Sequence, residues 1–252
     1  MQRYFIPVKN WTEDHVIIEG DDAHHISRVM RLDEDDQIIC NHPDGYAALC
    51  IITNLNPSRV EASIENILEE NKELPVSVTI AQGLPKGDKF EFVLQKGTEL
   101  GANAFIPFQA ERSVVQWNDK KYAKKQQRFK KIIKEASEQS HRTTQPTIET
   151  LTSLKKLLNL SKQYDKKIFP YEEEAKGSEH THLGTVFNEL NTGENLLVCI
   201  GPEGGFSEKE VQLLKENDFH PVRIGPRILR TETAALYVLA SISYHFEERP
   251  RS

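Results

Sequence analysis

Cysteine, methionine and tryptophan are scarce, with three, two and two among 252 residues. Cys40, Cys50 and Cys199 are odd in number and form no C-x-x-C pair, which argues against a disulfide framework and a zinc knuckle. No apolar run approaches the roughly 20 residues of a membrane-spanning helix, and the start Met1-Gln-Arg-Tyr leads into no signal-peptide core. A soluble, cytoplasmic protein is therefore expected. Internal repeats and low-complexity tracts are absent, and neither G-x-G-x-x-G nor G-x-x-x-x-G-K-[ST] occurs, so no dinucleotide fingerprint or P-loop is supported. His180 and His182 lack further ligand spacing, and no metal is expected. At 38% hydrophobic and 28% charged, the composition is that of an ordinary globular chain. At about 150 residues per domain, the length suits one large or two modest domains.

The formal net charge of −6 speaks against simple coating of nucleic acid, but its distribution is uneven. Residues 1–75 hold 6 basic and 15 acidic side chains, whereas residues 76–252 hold 26 and 23. Lys120 to Lys134 contains eight basic residues and no acidic one. Phe129, Ile132, Ile133 and Ala136 recur there at helical spacing, which places the lysines on the solvent face of an amphipathic helix. Such a face is either simply solvated or a footprint for a phosphate backbone.

Up to Ile67 the pattern is one of short β-like runs: His15 to Ile18, Gln37 to Cys40, Ala47 to Thr53 and Arg59 to Ile67. Val60, Ala62 and Ile64 alternate with Glu61, Ser63 and Glu65, the period of a half-buried strand. A small β-barrel over 1–72 is expected, with the charged Glu69 to Pro75 as linker. Beyond it, strands alternate with helices. Strands are predicted at Val76–Ala81, Ala104–Phe108, Lys167–Tyr171, Leu196–Ile200 and Pro221–Ile224. Helices are predicted at Asp88–Leu100, Leu151–Leu160, after the capping box Ser207-Glu-Lys-Glu210, and at Ala234–Phe246. That alternation implies an α/β domain over 73–252 with a mainly parallel sheet, whose ligand crevice lies beyond the carboxyl ends of the strands.

Two segments stand out because each follows a predicted strand and leads into a helix. In Ile200-Gly-Pro-Glu-Gly-Gly-Phe-Ser207, three glycines and a proline permit tight turns and close approach of a ligand to backbone amides. In Ile224-Gly-Pro-Arg-Ile-Leu-Arg-Thr-Glu-Thr-Ala234, two arginines sit at a sheet's carboxyl edge, with Thr231 or Thr233 available as a helix cap. A purely structural turn remains open for both.

Together these segments resemble the two C-terminal motifs of the SPOUT class of S-adenosylmethionine-dependent RNA methyltransferases, and more closely the RsmE-type 16S ribosomal RNA uridine-N3 methyltransferases. Supporting matches are His24-His-Ile-Ser-Arg-Val-Met-Arg31, Lys96-Gly-Thr-Glu-Leu-Gly101, Glu111-Arg-Ser113 and Glu135-Ala-Ser-Glu-Gln-Ser-His-Arg142, which run in the family's order over nearly the whole chain. The resemblance implies a PUA-like N-terminal barrel, a SPOUT domain with a C-terminal trefoil knot, and a homodimer. It implies that S-adenosylmethionine is bound by Ile200, Gly201, Pro202, Glu203, Gly204, Ile224, Gly225, Ile228, Leu229, Arg230 and Thr233, with Phe169, Pro170 and Tyr171 as a further wall.

Methylating N3 of uridine requires loss of the N3 proton and stabilisation of charge on the flanking carbonyl oxygens. Arg112, Arg142 and Arg230 are the candidate donors, Gln139 a candidate for orienting the base, and Glu99 or Glu232 a candidate proton acceptor. On this scheme Arg230→Ala or Arg142→Ala slows turnover while the fold persists. An RNA-facing surface is expected from Arg3, His25, Arg28, Arg31, Lys86, Lys120, Lys121 and Lys124. Two alternatives stay open: a non-catalytic RNA-binding ribosome assembly factor, and a SPOUT methyltransferase acting on another RNA.

Overall fold

The computed structural model describes residues 1–171 and 181–249, so His180 lies outside the described residues. The chain forms two compact units, Met1–Glu73 with Lys134–Gln145, and Leu74–Ile133 with Pro146–Ser252.

In the first unit, β1 (Arg3–Phe5), β2 (His15–Glu19), α1 (Asp21–His24), β3 (Gln37–Asn41), β4 (Ala47–Asn56) and β5 (Arg59–Leu68) succeed one another. The strands pair in the order β1-β3-β4-β5-β2, antiparallel except for β1 with β3. The expected small β-barrel is built from this one five-stranded sheet, with β1 and β2 at the two ends of the strand order. Alternation holds along β5, where Val60 and Ala62 are buried beside Ile18, Ile38, Cys40 and Ile52. The two neighbouring histidines do not share one regular helix: α1 runs into a wider π-helical turn, His25–Met30, which stops at Arg31 with φ 53°.

The stretch Lys134–Gln145 joins this unit through polar contacts that local sequence patterns do not announce. Lys134, expected on the solvent face, is partly buried between Asp22 at 2.5 Å and Glu138 at 2.7 Å. Burial raises the Glu138 pKa despite that ammonium group, and its Oε1 accepts from the Phe5 amide at 3.3 Å. The helix ends at His141 in the left-handed region, φ 59°, with the Arg142 amide donating to the Ser137 carbonyl and the His141 amide to that of Glu138. This pairing satisfies the last carbonyls of a helix terminus. Beyond it the Arg142 guanidinium meets Glu73, whose Oε1 also accepts from the Thr143 and Thr144 amides at 3.0 and 3.1 Å. Glu73, read in the sequence as part of a charged linker, is an anchor.

In the second unit follow β6 (Ser77–Gly83), α2 (Lys89–Glu99), β7 (Ala104–Gln109), α3 (Asp119–Gln139, whose last residues belong to the first unit), β8 (Thr147–Ile148), β9 (Thr152–Ser153) and α4 (Leu154–Leu160). Then come β10 (Lys166–Pro170), α5 (Leu183–Asn188), β11 (Asn195–Ile200), α6 (Glu208–Glu216), β12 (His220–Val222) and α7 (Thr231–Ser243). The sheet order is β12-β10-β11-β6-β7-β8, every pairing parallel, with β9 also on β7. Both faces are covered. Val78, Ile80, Val198 and Ile200 pack with α2, α5 and α7, whereas Ala81, Leu197, Cys199 and Phe169 pack with α4 and α6. Continuous apolar runs such as Leu196 to Ile200 suit strands of this kind. The predicted capping box closes α6: the Ser207 amide donates to Glu210 at 2.9 Å and the Glu210 amide to the Ser207 hydroxyl at 3.3 Å. The expected threonine cap of α7 is absent, because Arg230 holds the N-cap position and the Thr231 hydroxyl donates instead to the Gly201 carbonyl at 2.6 Å.

Candidate functional site

Parallel strands align their carboxyl ends on one edge, and there the connections after β6, β7, β11 and β12 converge with Pro170 and Tyr171 at the end of β10. They enclose a cleft of 1350 Å³. Single small-molecule sites generally occupy about 300–1,000 Å³, so the cleft has room for more than one small ligand. One wall is Ile200-Gly-Pro-Glu-Gly-Gly-Phe206, another Arg223 to Thr231 with Ala234, and Pro170, Tyr171, Lys89, Arg112 and Glu208 complete the lining. Gly225 takes φ 91°, which lets the chain turn sharply after β12 and bring Arg227 to Arg230 over the cleft. Arg112 Nη1 reaches the Gly204 carbonyl at 3.4 Å. Glu111 anchors the same connection, accepting from the Ser207 hydroxyl at 2.7 Å while its amide donates to Glu210 at 2.8 Å.

The electrostatics are mostly cationic. Lys89, Arg112, Arg223, Arg227 and Arg230 line the cleft against Glu203 and Glu208. Burial pushes the Glu203 pKa up, but the Lys89 ammonium at 2.9 Å and the Lys86 amide at 3.0 Å outweigh it and hold the carboxyl below its usual range. The same ammonium lies 3.5 Å from Glu232 Oε2, a buried oxygen without a hydrogen-bond partner among the described residues. Arg230 stands exposed at the N-cap of α7, where a cation opposes the helix dipole. A position unfavourable for the helix is informative about function.

Of the expected cofactor residues, Pro170, Tyr171, Ile200 to Gly204, Ile224, Gly225, Ile228, Leu229 and Arg230 line the cleft. Phe169 is fully buried beneath it, against Tyr171 and Phe206, and Thr233 is exposed on α7, outside the lining. Among the expected catalytic groups, Arg112 and Arg230 reach the cleft and Glu232 sits beside it through Lys89. Glu99 does not: it ends α2, at the opposite edge of the sheet from the cleft, and pairs with Lys96 at 2.8 Å. Gln139 is exposed in the first unit, and Arg142 there is buried and committed to Glu73.

For the RNA-facing set, Arg28, Arg31, Lys86, Lys120, Lys121 and Lys124 are exposed, and His25 is partly buried with Nδ1 3.0 Å from the Tyr4 hydroxyl. Arg3 is a correction: it is 3% exposed, bonds Asn41 at 3.0 Å and pairs with Glu70, so no free guanidinium is presented. Lys89 and Gln82 carry no local sign as site residues, since each is joined to the cleft by contacts distant in the chain; Arg223, which also lines the cleft, directly precedes the segment recognised from Ile224 on.

A doubly covered parallel sheet with a cationic, glycine-walled cleft at its carboxyl edge defines the class. The family model of an RNA methyltransferase domain matches residues 72–243, and that of an RNA methyltransferase PUA domain matches residues 18–65. The chain belongs to the ribosomal RNA small subunit methyltransferase E family. It is 48% identical over 98% of both chains to the ribosomal RNA small subunit methyltransferase E of Bacillus subtilis, and 30% identical to that of Aquifex aeolicus over 89% of this chain and 92% of the relative. Among solved structures, that of a ribosomal RNA small subunit methyltransferase E from Neisseria gonorrhoeae, bound to S-adenosyl methionine, superposes with TM-score 0.84 at 29% identity, covering 98% of each chain. A crystal structure of a hypothetical protein superposes with TM-score 0.90 at 46% identity, covering 98% of this chain and 99% of the other.

Proposed function

We propose that this protein transfers a methyl group from S-adenosylmethionine to N3 of a uridine in 16S ribosomal RNA. The observation that carries the reading is the cleft itself, which joins a glycine-rich backbone wall and apolar Ile200, Ile224 and Leu229 to a cationic rim. The donor set fits the cofactor: aliphatic side chains suit the adenine face, and Gly201 to Gly204 let backbone groups approach its polar edge. Bound there, S-adenosylmethionine supplies a methyl group on a cationic sulfur. The protein's own part is to hold the uracil with N3 about 3–3.5 Å from that methyl carbon, to take its proton and to stabilise the imide charge. Arg230 and Arg112 donate toward the uracil carbonyl oxygens, and Glu232, beside the cleft and ion-paired with Lys89, accepts the N3 proton. N3 lies on the Watson–Crick edge, so the uridine must be unpaired when it enters.

The same reading includes a SPOUT-type trefoil knot, a homodimer, a cytoplasmic location and a substrate within the small subunit. The knot is supported by the path after β12: from the outer edge of the sheet the chain returns past Gly201, bonded to Thr231, to pack α7 against α2 and β6. Residues 1–72 serve as an RNA-docking domain through Arg28 and Arg31. Replacing either by alanine weakens RNA binding and lowers the slope of log affinity against log salt by about 0.9. Equal slopes for mutant and parent would rule out phosphate contacts.

Arg230→Ala slows methyl transfer at least about tenfold with the melting temperature unchanged, and Arg230→Lys recovers only part because the planar fork is lost. Unaltered turnover in Arg230→Ala would remove that arginine from the chemistry. The whole reading is tested by transfer of labelled methyl from S-adenosylmethionine to small subunits from cells lacking this protein, with the product nucleoside identified by mass and chromatography. N3-methyluridine is the expected product; no incorporation despite cofactor binding would point to another RNA.

A further inference from the structure

Gln82 is a buried polar residue where the strand pattern calls for an apolar one. Along β6, Val78 and Ile80 face α2 and α7 in the core, and Gln82, two residues on, continues that face with no solvent exposure. Its Nε2 donates to the Thr231 hydroxyl at 2.8 Å and to the Gly83 carbonyl at 3.0 Å. The Thr231 hydroxyl in turn donates to the Gly201 carbonyl at 2.6 Å. Gln82 Oε1 has no partner among the described residues. A buried amide with one end unsatisfied is costly, so its persistence at the end of a central strand requires a use for the donor end.

We infer that Gln82 is the positioning residue of the cofactor cleft, acting through the Thr231 hydroxyl to lock the Gly201 loop to the first turn of α7. The inference rests on the reading of this cleft as the S-adenosylmethionine site. The two walls lie 30 residues apart in sequence at their bonded atoms. A second tie, Lys89 between Glu203 and Glu232, is ionic with its ammonium side chain 30% exposed, and such partly solvated pairs hold geometry weakly and yield to salt. The Gln82–Thr231–Gly201 relay is neutral, and its Gln82–Thr231 half is buried. It therefore keeps the Gly201 carbonyl and Arg230, the residue before Thr231, in one register.

Calorimetric titration of S-adenosylmethionine into the full chain tests this directly. Gln82→Leu and Thr231→Val each raise the Kd for S-adenosylmethionine about tenfold, the scale of one buried hydrogen bond. The double variant is no weaker than the worse single one, because both changes break the same relay. Thr231→Ser, which keeps the hydroxyl, restores affinity to within about threefold. Affinity for a 16S ribosomal RNA transcript changes less than twofold throughout, a split that general loosening of the fold would not produce. If Gln82→Leu fails to fold, Thr231→Val and Thr231→Ser carry the test. Parental affinity in both single variants, or losses that multiply in the double one, overturns the relay. A parent protein that binds no S-adenosylmethionine overturns instead the functional reading on which the relay depends.

Discussion

Arg142→Ala is expected to unfold the first unit under conditions where the parent is stable, costing about 3–5 kcal/mol, the range for removing one partner of a buried ion pair. The Arg142 side chain is 4% exposed and that of Glu73 20%. Truncation leaves the carboxylate with the Thr143 and Thr144 amides and the Thr143 hydroxyl but without the guanidinium that neutralises it. It also removes the side-chain half of the clamp that holds Lys134–Gln145 to the strands; the other half, the Arg142 carbonyl accepting from Asn41, itself bonded to Arg3, survives in alanine. In thermal unfolding followed by circular dichroism, the melting temperature should fall by more than about 10 °C. Replacing both partners, as in Arg142→Met with Glu73→Leu, recovers only part of the loss, because the two threonine amides lose their acceptor. An unchanged melting temperature together with abolished turnover would return Arg142 to the chemistry in which the sequence first placed it.

The same pair sets a pH dependence. Burial alone would raise the Glu73 pKa, but the Arg142 guanidinium and the Thr144 amide overcome it and hold the carboxyl below its usual range. A depressed folded-state pKa contributes stability that is fully present above the unfolded value of about 4.3 and is lost as pH falls through the folded one. Parental stability should therefore drop on acidification below about pH 5. In Glu73→Gln that acid limb is flatter and the neutral-pH stability lower. Identical acid limbs would exclude Glu73 as the titrating group.

Much of the second unit was legible because its signals are local. Leu196 to Ile200 is apolar without alternation, Ser207 and Glu210 are spaced for reciprocal capping, and Phe90, Val93, Leu94 and Gly97 share a helical face; the structure uses each of them so. The glycine-rich segments identified the cleft because tight turns need particular residues. The residues that fix the cleft's geometry gave no such sign. Gln82 and Thr231 are 149 positions apart and Lys89 and Glu203 are 114 apart, so nothing in a sequence window links them. The same limit explains Glu73, Arg142 and Arg3. Charged side chains read as linker, catalytic or RNA-facing are buried or half-buried in this fold because partners from distant segments neutralise them. Glu99 was misplaced for a different reason. A motif gives proximity in sequence, whereas the length of α2 carries its last residue to the other edge of the sheet.

Gly83→Ala should lower methyl transfer by about a hundredfold or more, though it adds one methyl group. A Cβ at Gly83 would lie 2.8 Å from both the Cδ and the backbone nitrogen of Pro202, and 3.1 Å from the Gly201 carbonyl carbon. Neither side can yield cheaply. Gly83 is held in β6 by its pairing with β7, Pro202 has a fixed ring, and the Gly201 carbonyl is bonded to Thr231. The clash must then be relieved by moving the 201–204 wall away from the strand end. Overpacking of this kind costs about 1–3 kcal/mol of stability, and a displacement near 1 Å in a reacting geometry costs about 10²-fold in rate. Gly184→Ala supplies the control, since a Cβ there meets nothing within 4 Å and the residue lies on α5. That variant should keep its rate within about twofold and gain slightly in stability from alanine's helix propensity. Gly83→Ala turning over like Gly184→Ala would mean that the glycine wall tolerates displacement, and that the close approach of β6 to Pro202 has no part in the reaction.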